Sequence, residues 1–161
     1  MFIKSIKTII FSSLVLSLLF LLPTCGDDST GLNANGTFMS GTVTYNDNST
    51  GYSGGYYCIS FYNPDSTNPF QRAPIKSDSL TLSVNNGVTT AFYKESSIAN
   101  GSYYIASTWI SPGYRTFVLG IYGCDTVAGT PTKIDFPNYA GTGQLDFRSK
   151  TNPANAIYRY P

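Results

Sequence analysis

The sequence predicts an all-β fold, a single β-sandwich of about seven to nine strands standing behind an N-terminal export segment. Three observations predict it. After residue 36 the apolar residues alternate with polar ones instead of recurring every three or four positions. Turn residues, above all Gly, Pro, Asn and Ser, punctuate the chain at short intervals. Charged residues make up only 12% of the chain and aromatic ones 15%, with 13 Tyr, a balance that suits strand faces better than helices.

The export segment comes first. The chain has 161 residues starting at Met1 and reads as an unprocessed precursor. Lys4 and Lys7 precede an oily run from Ile9 to Leu22. As a helix, that run of about 14 residues covers roughly 21 Å, short of the roughly 30 Å of a bilayer's hydrocarbon core. Pro23 ends the helix and Cys25 follows. Residues 1–24 therefore read as a signal peptide. Residues 25–36, CGDDSTGLNANG, have almost nothing to bury and read as a flexible tether. Residues 37–161 make up the sandwich, and the roughly 137 residues past the signal suffice for one domain with a core.

Leu22-Pro23-Thr24-Cys25 resembles the lipobox of bacterial lipoproteins, with Leu three residues before the cysteine. Pro23 and Thr24 depart from the small residues commonest there and are similar to the permissive boxes of spirochaete-type lipoproteins. The resemblance implies cleavage before Cys25, diacylglycerol on its sulfur and a fatty acyl chain, such as palmitate, on the new amine. It also implies a place in the cell envelope, on the outer membrane, with the membrane as first partner. Each buried methylene contributes about 0.8 kcal/mol, so two or three chains hold such a protein stably.

The strands follow in order. GTVTY (41–45) points Val43 and Tyr45 to one side. YYCISFY (56–62) divides into Tyr57, Ile59 and Phe61 against Tyr56, Cys58, Ser60 and Tyr62. SLTLSV (79–84) reads as one strand with Leu80, Leu82 and Val84 together. Asn86-Gly87 signals a two-residue hairpin, whose turn needs positive φ at both positions. SYYIASTWI (102–110) sets Tyr103, Ile105, Ser107 and Trp109 against Tyr104, Ala106, Thr108 and Ile110. After a turn at SPGY, RTFVLGIYG puts Phe117, Leu119 and Ile121 in register. TKIDF and GQLDF supply shorter strands, and the C-terminal NPANAIYRYP an edge segment.

Ile98, Gly101, Tyr103 and Ile105 resemble the signature of transthyretin-like and carboxypeptidase-regulatory-like sandwiches, in which a glycine turn leads into a strand beginning with Tyr. GTVTY is similar to that family's opening strand. The resemblance implies an immunoglobulin-like or transthyretin-like arrangement and a module without catalysis of its own. The hydrolases of that group use histidines, which this chain lacks.

Composition excludes several chemistries. With no His there is no Ser-His-Asp triad, no Cys-His pair and no imidazole acid or base. The 10 basic and 9 acidic residues nearly balance and form no basic stripe, so nucleic acid is not an expected partner. No cofactor is expected either. Asp47 and Asp65 lie in oxygen-rich loops, but neither loop has calcium-loop spacing and both read as turns, so no metal site is expected. Cys58 and Cys124 make an even pair in an exported chain and suggest a disulfide, worth about 4 kcal/mol on the loop-entropy account.

Tyr presents a flat ring with a hydroxyl at its edge, suited to stacking on sugars or anchoring protein contacts. Tyr52, Tyr56, Tyr57, Trp109 and Tyr114 are the candidate ligand-binding residues. The expected function is a membrane-anchored, non-enzymatic binding or interaction module for a protein or carbohydrate ligand. A structural component of the envelope is the alternative. Less favoured is a glycan hydrolase using carboxylates from Glu95, Asp125, Asp135 or Asp146.

Overall fold

Ten strands and two short 3₁₀ turns make up residues 38–47, 52–124, 130–137 and 144–160, the parts of the chain that the computed structural model describes. The first five strands are β1 (Met39–Tyr45), β2 (Tyr56–Tyr62), β3 (Lys76–Leu80), β4 (Ser83–Asn85) and β5 (Val88–Glu95). The others are β6 (Gly101–Ile110), β7 (Thr116–Ile121), β8 (Ile134–Phe136), β9 (Phe147–Ser149) and β10 (Tyr158–Tyr160). They form two sheets packed face to face. One has four strands in the order β4-β5-β1-β9; the other has six, β10-β7-β6-β2-β3, with β8 beside the start of β6. The fold is an all-β sandwich.

The pairing follows from alternation. β1 lies antiparallel to β5, with Val43 opposite Ala91, and parallel to β9, with Val43 opposite Phe147. Its inward residues Met39, Val43 and Tyr45 meet Tyr57, Ile59 and Phe61 of β2 and Ile105 of β6 across the core. Fully burying one such large apolar side chain contributes about 1.5–3 kcal/mol, which is why a period of two is enough to orient each strand. Tyr45 and Ser107 also join the sheets through their hydroxyls at 3.2 Å. At the start of β6, Tyr103 donates its hydroxyl back to the Ala99 carbonyl at 2.6 Å, pinning the crossing from β5. The β4–β5 hairpin turns on Asn86 (φ 49°) and Gly87 (φ 77°), the positive pair such a turn requires.

Three strand expectations need correction. Among the described residues of GQLDF only Phe147 lies in a strand, β9, which runs on to Ser149. SLTLSV is not one strand: β3 ends at Leu80 in the six-stranded sheet and β4 starts at Ser83 in the other. Thr81 and Leu82 carry the chain between the sheets, so Leu80 is buried while Val84 is 52% exposed on an edge. Ile121 is not in register with Phe117 and Leu119. The pairing of β6 with β7 shifts between Ser107 and Thr108, leaving Leu119 as an extra residue. That bulge turns Ile121 to the outer face of the sheet, beside Tyr62, Ala106 and Val118.

Candidate ligand-binding site

Aromatic residues gather in two places, one inside the sandwich and one on the outer face of the six-stranded sheet. The inner group surrounds Trp109, which lies near the end of β6 and is 6% exposed. Tyr52 meets the indole edge-on at 5.7 Å and Phe117 tilts against it at 5.3 Å. The backbone at Gly55 passes so close that a Cβ there would lie 2.5 Å from the ring. Tyr57 is equally enclosed. Its hydroxyl accepts from the Tyr52 N–H at 2.7 Å and donates to the Thr151 carbonyl at 2.6 Å. Burial raises the pKa of Tyr57, and burial likewise raises that of Tyr45.

The five expected binding residues therefore do not form one surface. Trp109 and Tyr57 belong to the core, because the alternation that makes them conspicuous also turns them inward. Tyr52 leans on the indole, Tyr56 points away from Tyr57 on β2, and Tyr114 stands at the β6–β7 turn with φ 59°. These three are exposed.

The outer group forms a pocket of about 240 Å³. It is built on the connection from β2 to β3, residues 63–75, far longer than the 2–5 residues of an ordinary hairpin loop. Within it, Pro69–Gln71 forms a 3₁₀ turn that drops Phe70 onto the sheet. Phe70 meets Tyr62 at 5.2 Å, Tyr104 at 5.5 Å and Tyr158 at 5.6 Å, the last nearly parallel at 17°. Tyr104 comes from β6 and Tyr158 from β10. Pro64, Asn68, Gln71 and Pro131 also line the pocket. Asn68 adopts φ 52°, a left-handed conformation uncommon outside Gly, and its side chain makes no capping bond to the turn it precedes.

Distant residues position this site. Both oxygens of Asp47 are engaged, one by Thr151 Oγ1 at 2.8 Å and the other by the N–H groups of Thr151 and Asn152 at 2.8 and 3.1 Å. Asn152 then caps the turn at Pro153–Asn155 through Ala154 N–H. From there Ile157 N–H bonds to the Val118 carbonyl at 2.7 Å, laying β10 beside β7 and Tyr158 beside Phe70. Asp47 thus works as a clamp, and Asp65 sits in an Asx turn with its N–H on Asn63 Oδ1.

Sequence reading missed Phe70, Tyr104 and Tyr158 as a group. The available signal was the length of 63–75 and its density of Pro and Asn, which reads locally as turn chemistry alone.

The carboxylates are spread through the structure. Glu95 is buried at 4% exposure, bonded to Lys76 Nζ at 2.8 Å and to the Ser97 N–H. Lys76 Nζ also reaches the Ser97 carbonyl at 3.1 Å and Asp78 at 3.6 Å. Burial pushes the Glu95 carboxyl up, but neighbouring Asp78, Lys76 and Ser97 outweigh it and hold it below its ordinary range. Asp78 is raised, first by hydrogen bonding with Glu95 and then by burial. Asp135 accepts from Ser102 Oγ, and Asp146 accepts from the Thr42 N–H at 2.6 Å. Asp125 lies outside the described residues, as does Cys25 with its tether.

The expected disulfide is absent. Cys58 and Cys124 are both buried thiols and are not bridged. Cys58 lies on β2, whereas Cys124 follows the turn after β7, opposite Ile121, and β6 separates the two strands. That places them at least two strand spacings apart, roughly 10 Å, beyond the roughly 7 Å limit between bridged Cα atoms. Burial, with a smaller contribution from Asp78, pushes the Cys58 thiol up to about 11, so it behaves as a small apolar side chain rather than a nucleophile.

Compared with protein families, curated proteins and solved structures, the chain gives no significant match.

Proposed function

We propose that this chain is a lipid-anchored protein of the bacterial envelope whose sandwich serves as a non-catalytic binding module, with the outer aromatic pocket as its site. The anchor is Cys25, set in a lipobox-like sequence and followed by a polar tether. One observation carries the binding reading. The hydroxyls of buried Tyr57, Tyr93 and Tyr103 all donate to backbone carbonyls, whereas those of Tyr104 and Tyr158 in the pocket have no partner among the described residues. Rings held in place with their polar ends unused suit an incoming ligand. The engagement of Glu95, Asp135 and Asp146 in local bonds, together with the transthyretin-like signature, supports a module without chemistry of its own.

Two measurements test this. Cells fed a clickable palmitate label the wild-type chain, and Cys25→Ser removes the label. A photo-crosslinker at position 71 captures an envelope component that a crosslinker at position 86 does not, and Tyr104→Ala abolishes the capture. An unlabelled wild type, or equal capture from both positions, defeats the proposal.

A further inference from the structure

The chemistry of the pocket narrows its ligand. We infer that it receives a single neutral sugar ring, a pyranose presented alone or at the end of a glycan; this rests on the binding reading above and specifies it.

Size comes first. The volume of about 240 Å³ falls below the roughly 300–1,000 Å³ of sites that enclose drug-sized molecules, so it holds one ring and not an oligomer. Charge comes second. Pro64, Asn68, Phe70, Gln71, Tyr104 and Tyr158 carry no charge, and among the described residues the lining includes no Lys, Arg, Asp or Glu. A phosphate, carboxylate or ammonium entering here would lose hydration with no countercharge to replace it.

The mixture of surfaces decides between the neutral candidates. Phe70 is the buried floor, and Tyr104 and Tyr158, both half-buried, flank it with ring faces. The lining residues also carry two phenol hydroxyls without a partner among the described residues and the amides of Asn68 and Gln71. Phenols and amides both donate and accept. A pyranose has the same division, with C–H faces that pack on rings and a girdle of hydroxyls that both donate and accept. A wholly apolar occupant would strip water from these hydroxyls and amides and return no bonds. A prolyl peptide offers carbonyl acceptors but no donors from its rings, so it answers only half of the set.

Asn68 strengthens the inference. Its left-handed backbone belongs to the turn, but nothing in the turn uses its amide. Gly would hold φ 52° with less strain. Asn tolerates this conformation next best after Gly, and here it leaves an amide that the turn does not use.

The test uses the full-length chain in a sugar-free detergent, followed by ¹H–¹⁵N spectra of the side-chain amides. Methyl glucoside, methyl galactoside and N-acetylglucosamine are the neutral probes. Glucuronate and glucosamine are the charged ones, and pentaproline is the rival. At least one neutral sugar shifts the Asn68 and Gln71 amides with a millimolar Kd, as suits so small a ligand, and the charged sugars bind at least ten-fold more weakly. Asn68→Gly, which keeps the backbone conformation, and Tyr158→Phe each weaken binding about three- to ten-fold, with wild-type unfolding midpoints. Tyr104→Ala weakens it more than ten-fold, and Tyr114→Ala changes nothing. Shifts from pentaproline and none from sugars overturn the sugar assignment while capture from position 71 still upholds a binding module. Sugar binding that survives both Asn68→Gly and Tyr104→Ala overturns the site. Silence from every probe together with no specific capture removes both.

Discussion

The two aromatic groups use the same residues to opposite ends. Around Trp109 the rings pack on one another and the Tyr57 hydroxyl joins two backbone groups. Around Phe70 the rings also pack on one another, yet the Tyr104 and Tyr158 hydroxyls have no partner among the described residues, and both residues line a cavity. The difference teaches that the number of aromatic residues says little about binding. What matters is whether a polar edge without a partner also borders a cavity: Trp109 Nε1 has no partner among the described residues either, but it is sealed in the core.

Substitutions sharpen that contrast, from the largest expected effect to the smallest. Trp109→Ala empties the inner group and costs about 3–5 kcal/mol of stability in urea titration; a cost near zero would show that the indole is not a core element. The same titration reads Lys76→Met, which leaves Glu95 buried without its cation and costs about 2–3 kcal/mol near neutral pH, since Lys76 is partly exposed. Because the folded state holds Glu95 below its unfolded pKa, its stabilising contribution is full above the unfolded value and fades as pH falls through the folded one. The Lys76→Met deficit therefore shrinks on acidification; a constant deficit would mean that Glu95 is not the group involved. Tyr57→Phe strands the Tyr52 N–H and the Thr151 carbonyl and costs about 1–2 kcal/mol, seen as a lower unfolding midpoint. Tyr158→Phe removes an unpaired hydroxyl and changes stability by less than about 0.5 kcal/mol. Equal costs at Tyr57 and Tyr158 would erase the distinction between the two groups.

Legibility in the sequence follows the same boundary. β1, β2 and β6 are readable from alternation because each has one face sealed in the core, and the β4–β5 turn is readable because Asn86-Gly87 is a local device. The change of sheet at Thr81 and Leu82 leaves the period of two unbroken and so is invisible in it. The bulge at Leu119 depends on what β6 does opposite it. The distance between Cys58 and Cys124 is a property of strand order, which the count of cysteines does not contain.

The pocket was hidden for a related reason. Alternation separates Tyr104 from Tyr103 and Trp109 without saying which side faces out; Tyr104 lies on the outer face of β6, where residues 63–75 fold over it. Phe70, Tyr104 and Tyr158 come from three distant segments, and no spacing in the chain announces their meeting.

The place of β1 in its sheet has a consequence in time. This first strand lies between β5 and β9, and its pairing with β9 runs parallel, from Val43 beside Phe147 to Tyr45 beside Ser149. A chain delivered N-terminus first, from a ribosome or through a membrane pore, exposes β1 long before that neighbour exists. The four-stranded sheet closes only after the last strands have emerged, and contacts so distant in sequence form slowly. The topology thus makes completion of the four-stranded sheet wait until β9 has been made.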